Sequence, residues 1–286
     1  MDDSIHDEAT IPMRVGIIGY PVEHSLSPKM HRAAFAILGL NWDYSLLPVA
    51  PDEVQEAIQM IRREGWRGIN VTVPHKQAVI PVLDGVTIHA DIIGAVNTIV
   101  NENNCLVGHN TDWIGFLEAL QEAEFDPQNC RAVLLGAGGA ARAVLYALLQ
   151  SGATVSIANR DSRKAEALAL EFSIHFDRDI PVLSLQDEAG LQTALNDATL
   201  LVNSTSVGMS PHPTADPLPA SITIPPHLTV YDLVYNPRET QLLKRARAAG
   251  ATGIDGLGML VHQGAEAFRL WTGRDAPIAV MRQAIE

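Results

Sequence analysis

Cysteine is almost missing from this chain of 286 residues: Cys105 and Cys130 are the whole complement. That leaves no disulfide framework and fits a reducing compartment, so the protein is expected in the cytoplasm. Long apolar runs are missing too, since none approaches the roughly 18 residues of a membrane span. The first twelve residues are polar and acidic, without the basic start and apolar core of a signal peptide, and read as a loose tail. Basic residues are scarce: 20 Lys and Arg stand against 33 Asp and Glu, a net charge of −13. Phosphate backbones need basic surfaces, which argues against nucleic acid as a partner. A small anionic ligand held by local donors is not excluded. The chain has no HExxH, no CxxC and no clustered metal-ligand spacing, so no metal is expected. It also has no GxSxG elbow, no internal repeat and no low-complexity tract.

What is there is an ordinary globular balance, 47% hydrophobic and 19% charged, in a length comfortable for two domains. Its organising stretch is RAVLLGAGGAARAVLYALL, residues 131–149. A short apolar run breaks into Gly136, Ala137, Gly138 and Gly139, then becomes an Ala- and Leu-rich helix. This is the strand, glycine turn and helix that open a dinucleotide-binding βαβ unit. Gly136 permits the tight turn, Gly138 lets a pyrophosphate approach the backbone, and small Ala141 lets the helix pack close to the strand. The helix N-terminus offers free N–H groups and a positive dipole end to the phosphates. The next strand, Thr154 to Ala158, ends at Asn159-Arg160, where NAD binders place a carboxylate. An arginine beside the ribose suits a 2′-phosphate, hence NADP. Two features leave this open: Arg160 can also be read as a solvated surface residue, and Asp161 follows at once.

Along the first third, strands are expected at residues 14–20, 42–49 and 68–73. A helix from Pro28 is expected with Ser27 as its N-cap, another opens at Pro51-Asp52-Glu53, and another at Pro74-His75-Lys76. VNTIV and CLVGHN around Glu102-Asn103-Asn104 read as a hairpin. The alternation implies a mostly parallel sheet. A long linking helix spans Trp113 to Phe125. Strands of a second α/β unit follow at 132, 154, 181, 199 and 229, with a Pro-rich loop from Pro211 to Pro226. The last helix is expected from Leu257 to Trp271. Two α/β units joined by a helix imply a ligand cleft between them.

Open α/β sheets bind ligands at the carboxyl ends of their strands. Polar residues gather there in the first unit: Ser25 and Ser27 past the first strand, Thr72 within and Lys76 past the third, Asn97 at the hairpin and Asp112 after it. Each also has a structural explanation. Ser27 and Asp112 can cap helices, Thr72 is a β-former, and Lys76 can be a solvated first-turn lysine, although a cation there opposes the helix dipole.

Taken together the motifs carry a resemblance. GYPVEHSLSPKMH, GINVTVPHK, GAVNT, HNTDWIGF, GAGGAARA, ANR, NSTSVGM, DLVYNPRET and DGLGMLVHQGAEAF occur in that order. The chain resembles the shikimate dehydrogenase family over nearly all its length from Arg14 on. Arg32, Trp113 and Asp161 depart from the family's usual residues. The resemblance implies two α/β domains, an N-terminal substrate domain with a mostly parallel sheet and a Rossmann-type NADP-binding domain, with the cleft between them. It implies boundaries of 1–112 with 256–286, and 113–255. It implies NADPH-dependent reduction of 3-dehydroshikimate to shikimate, on the route to chorismate, by a monomer or homodimer. Lys76 and Asp112 would be catalytic. Ser25, Ser27 and Tyr235 would hold the substrate carboxylate, and Thr72, Asn97 and Gln263 would address its hydroxyls. Gly136, Gly138, Gly139 and Ala140 would line the pyrophosphate, and Asn159, Arg160 and Lys164 would meet the 2′-phosphate. Met209, Gly258 and Met259 would lie near the nicotinamide. Two alternatives stay open: an NAD-dependent quinate/shikimate dehydrogenase of the same superfamily, which Asp161 favours and Arg160 disfavours, and a non-catalytic NADP-binding regulator, which would not need Lys76 and Asp112 together.

Overall fold

The structure is a computed structural model that describes residues 11–286. The expected acidic tail falls outside them except for its last two positions. The chain builds two six-stranded sheets. The first contains β1 (Met13–Gly19), β2 (Trp42–Pro48), β3 (Gly68–Val71), β4 (Gly85–Val86), β5 (Thr98–Glu102) and β6 (Cys105–His109), in the order β2-β1-β3-β5-β6-β4. Its helices are α1 (Ser27–Ile37), α2 (Val54–Arg63) and α3 (Ile88–Ile93). The sheet is more mixed than expected. β1 runs parallel to β2 and β3, but the β5–β6 hairpin is antiparallel, and β5 runs against β3. Asn103 and Asn104, at φ 53° and 67°, supply the left-handed backbone that a two-residue hairpin turn requires.

Helix α4 (Asp112–Glu122) leads into the second sheet: β7 (Arg131–Leu135), α5 (Gly139–Gln150), β8 (Thr154–Asn159), α6 (Ser162–Phe176), β9 (Val182–Ser184), α7 (Glu188–Asp197), β10 (Leu200–Asn203), β11 (Thr229–Asp232), α8 (Gln241–Ala248) and β12 (Thr252–Ile254). The order β12-β11-β10-β7-β8-β9 is all parallel and matches the doubly wound dinucleotide-binding arrangement. The fold class expected from sequence therefore holds. The chain then returns through α9 (Leu257–Thr272) and α10 (Ile278–Gln283) to the first sheet. There Trp271 Nε1 donates to the Ile99 carbonyl at 3.0 Å, and Phe268 stacks on Phe35.

Several local expectations differ from the structure. No α-helix begins at Pro74-His75-Lys76; the segment is a series of turns ending in a 3-10 turn, Ile80–Val82. The Lys76 carbonyl that a helix would use is taken by the Val96 N–H at 2.7 Å, Ile80 N–H bonds three residues back to Gln77, and Pro81 has no N–H to offer. Thr72 lies past β3 rather than within it, and its methyl covers Gly19 at the end of β1. β12 and α10, both short, were not foreseen, and α10 follows what was expected to be the last helix.

The second sheet's core extends to the segments that join the two units. Ile93 and Ala95 beside α3, Phe116 and Ala119 of α4, Met259 of α9 and the buried face of α5 form one hydrophobic cluster. Polar contacts reinforce it. The Arg142 guanidinium on α5 donates to the Ile93 carbonyl and pairs with Glu171, and His89 Nδ1 meets the Tyr146 hydroxyl at 2.6 Å with Trp113 packed on both rings. Helices α4 and α9 cross closely because glycine stands at the contact: a Cβ on Gly115 would lie 2.6 Å from the Gln263 nitrogen, and one on Gly258 3.2 Å from the Ala119 Cβ.

Candidate active site

The strand directions of the first sheet deliver its polar residues to one edge. β1 and β3 end there, antiparallel β5 begins there, and β6 ends there. Segments far apart in sequence thus place Ser25 and Ser27, Lys76, Asn97 and Asp112 side by side. Lys76 Nζ lies 2.5 Å from Asp112 Oδ2, and the two side chains are 14% and 6% exposed. An ion pair this sheltered keeps more of its attraction than one in water, but it needs its remaining lone pairs filled. Asn97 does that: its Nδ2 donates to Asp112 Oδ1 at 2.8 Å, to Thr111 Oγ1 at 2.9 Å and to Gln263 Oε1 at 3.3 Å. The Thr111 N–H closes the loop by donating to Asn97 Oδ1 at 2.7 Å. Asp112 is not an N-cap but the first residue of α4, with Thr111 before it and its own N–H donating to Asn110 Oδ1. Its carboxylate is therefore free to face Lys76.

A second chain of hydrogen bonds extends this network toward the serines. Asn70 Nδ2 donates to Thr98 Oγ1 at 3.0 Å, and its Oδ1 accepts from the Tyr44 hydroxyl at 2.7 Å. Ser27 lies close enough to Tyr44 to favour its ionised form, while burial pushes the Tyr44 phenol far above its ordinary range. Ser27 is not the N-cap of α1. The helix starts on Ser27 itself, with no side-chain cap, which leaves the hydroxyl to this network. Half-buried Ser25 accepts from the Ser27 N–H at 3.3 Å, and its own hydroxyl proton remains available to a ligand. Tyr235, from the loop after β11, lies near enough to Tyr44 for one ionised phenol to disfavour the other, and burial raises its own phenol. Tyr44, Asn70 and Thr111 were not foreseen as site residues. An asparagine inside a four-residue strand that is otherwise buried and apolar was the signal available for Asn70.

The nucleotide side is built from backbone and open space. Gly136 sits at φ 116°. An added Cβ on Gly138 would meet nothing within 4 Å, so a pyrophosphate has room against the backbone there, at the N-terminus of α5. Ala140 follows on the same first turn. Asn159 ends β8 and exposed Arg160 follows, with no carboxylate at the strand end. Asp161 precedes α6 and makes no side-chain cap, and Lys164 is exposed one turn into that helix. These donors fit a dinucleotide carrying a 2′-phosphate. Met209 is exposed on the loop after β10. Gly258 turns its open side onto α4, and the Met259 side chain is packed in the core. A nicotinamide could meet them only through their backbone.

The two sides meet at the glycine turn. The Cβ and Cδ of Lys76 lie where a side chain on Gly139 would go, each 3.2 Å from an added Cβ. The lysine stem is thus laid over the glycine turn while its ammonium faces Asp112. Among the described residues no group of His, Cys, Asp and Glu could hold a metal ion, and no helix is long and apolar enough to cross a membrane.

The chain is similar to known proteins along nearly all its length. The profile of the shikimate dehydrogenase substrate binding domain matches residues 17–99, that of shikimate / quinate 5-dehydrogenase residues 118–214, and that of the shikimate 5'-dehydrogenase C-terminal domain residues 256–286. Shikimate dehydrogenase (NADP(+)) of Moorella thermoacetica is 50% identical, over 95% of this chain and 92% of that protein. The Methanopyrus kandleri protein of the same name is 47% identical, over 95% of this chain and 94% of its own. Among solved structures, shikimate 5-dehydrogenase of Thermus thermophilus in complex with NADP(H) and shikimate superposes with a TM-score of 0.86 at 41% identity, covering 96% of this chain and 98% of that one.

Proposed function

The chain belongs to the shikimate dehydrogenase family, and from that premise we propose that it catalyses the reversible NADPH-dependent reduction of 3-dehydroshikimate to shikimate. The observation that carries this reading is the Lys76–Asp112–Asn97 network set against the glycine turn at Gly139. NADP, when bound, supplies the hydride exchanged with the carbon that bears the reacting oxygen. The remaining work falls to side chains. The Lys76 ammonium stabilises negative charge growing on that oxygen and gives it a proton; in the oxidative direction Lys76 takes the proton back. Asp112, held by Asn97, aims the lysine and accepts from a neighbouring substrate hydroxyl. Thr72 and Gln263 bind further hydroxyls. Ser25, Ser27 and Tyr235 donate to the substrate carboxylate, which suits an anion on a protein of charge −13: neutral donors hold it without demanding a basic surface. The 2′-phosphate falls to Asn159, Arg160 and Lys164, and the pyrophosphate to Gly136, Gly138, Gly139 and Ala140.

The substrate unit then comprises 1–112 with 256–286, and the nucleotide unit 113–255. The free thiols Cys105 and Cys130 support a cytoplasmic location, and the active form is a monomer or homodimer, which light scattering on a sizing column distinguishes. One assay tests the function directly: shikimate with NADP, followed as NADPH absorbance. Faster turnover of shikimate with NADP than with NAD is the expected result. NADP binding without turnover would make the protein a regulator instead.

A further inference from the structure

Two loops leave the carboxyl edge of the second sheet side by side, residues 204–210 after β10 and 233–240 after β11. The first carries Met209 and the second Tyr235. Between their roots lies Asp232, the last residue of β11, with none of its surface exposed. A carboxylate in that position costs desolvation unless its lone pairs are filled. Asn203 Nδ2 donates to Oδ1 at 2.8 Å, the Val234 N–H to the same oxygen at 3.1 Å, and the Thr240 hydroxyl to Oδ2 at 2.6 Å. Asn203 continues the network into the first loop. Its Oδ1 accepts from the Thr205 N–H and hydroxyl at 3.1 and 2.7 Å, and that hydroxyl accepts from the Val207 N–H. The loops meet again farther out, where the Ser210 N–H reaches the Asn236 carbonyl at 3.0 Å. One buried carboxylate therefore ties together the root of the first loop and both ends of the second.

We propose that Asp232, with Asn203 and Thr240, is a positioning residue that locks these two loops into a single body and so holds Tyr235 at the substrate carboxylate. The inference rests on the function proposed above. Tyr235 is rooted in the second sheet, lies near enough to Tyr44 of the first for one ionised phenol to disfavour the other, and follows Asp232 by three residues on the loop that the clamp closes. Release of the carboxylate's donors frees that short lever before it disturbs anything else. The 2′-phosphate donors Asn159, Arg160 and Lys164 sit at the end of β8 and the start of α6, away from both loops.

Asp232→Asn keeps the shape and removes acceptor capacity. Thr240→Val removes one donor, and Thr240→Ser keeps it. In the first two, KM for shikimate is expected to rise about tenfold or more while the NADP Kd stays within about twofold, and Thr240→Ser is expected to match the parent. Amide exchange is expected to quicken in 204–210 and 233–240 together, with β7 and β8 still protected. Loops that loosen independently, or shikimate KM and NADP Kd that rise in step, would overturn the proposal. If the parent does not bind shikimate, the proposed function falls, and the joint exchange of the two loops still decides whether Asp232 clamps them.

Discussion

The two halves of the site are made differently. The half from the first sheet is a closed polar network: Lys76, Asp112, Asn97, Asn70 and Tyr44 are bonded to one another before any ligand arrives. The half from the second sheet offers bare backbone at Gly138 and exposed cations at Arg160 and Lys164. Side chains already fixed by neighbours need no reorganisation as charge develops, so damage there should appear in kcat. Backbone and flexible cations contribute attraction to a ligand that brings its own charge, so damage there should appear in cofactor affinity.

The largest expected break in that contrast is Lys76→Met, which keeps the stem over Gly139 and removes the charge. It should lower kcat for shikimate oxidation by about 10²–10⁴-fold with NADP affinity nearly unchanged. A kcat within a few-fold of the parent would shift the proton's route to Asp112. Next comes Arg160→Ala, expected to weaken NADP binding by about one to two decades, leave NAD-dependent turnover nearly unchanged and spare kcat. Equal use of both cofactors by the parent would remove its basis. Ser25→Ala should raise KM for shikimate by roughly tenfold without a matching rise for NADP; parallel rises would return the serine to a purely local role in its turn.

A pH titration of stability sharpens the same contrast. His31 is fully buried in the first half, neither ring nitrogen has a hydrogen-bond partner, and burial holds its pKa at about 3 against an ordinary 6.5. Between those values the unfolded chain takes up a proton that the folded protein refuses, so stability falls as pH drops, by roughly 1.4 kcal/mol per pH unit. His31→Phe, suited to its stacking against Tyr44, should flatten that acid limb. Asp232 in the second half acts in the opposite sense. Burial lifts it from 3.8 to about 6, so the folded protein binds the extra proton and its contribution to stability grows as pH falls through that window. Melting temperatures of parent and His31→Phe across this range check both signs.

Legibility in the sequence follows the same division. The nucleotide half was readable because its ligand makes demands on backbone: Gly136 for a positive φ, Gly138 for open space, Asn159-Arg160 at a strand end. Those demands lie within one continuous stretch. The hairpin was readable for the same reason, through Asn103 and Asn104. Lys76 was found as a residue but set on the wrong element, because the bond that prevents a helix there comes from Val96. Tyr44 and Asn70 were missed because each is defined by a partner in another segment. Local sequence allows Ser27 and Asp112 either a cap or a site role, and the structure gives the capping duty to neither.

The close crossing of α4 and α9 bears on how such a molecule can be assembled and re-engineered. The chain leaves the first sheet through one of these helices and returns through the other, and the two lie against each other at Gly115 and Gly258. The intervening polypeptide therefore begins and ends at neighbouring points, with the connectivity of a cassette inserted into a host. Exchange of that cassette between relatives has one helix pair to match at the join, plus the contacts of α3 with α5. Chimeras cut at these two helices, with Gly115 and Gly258 retained, are the natural way to graft one protein's coenzyme preference onto another's substrate preference.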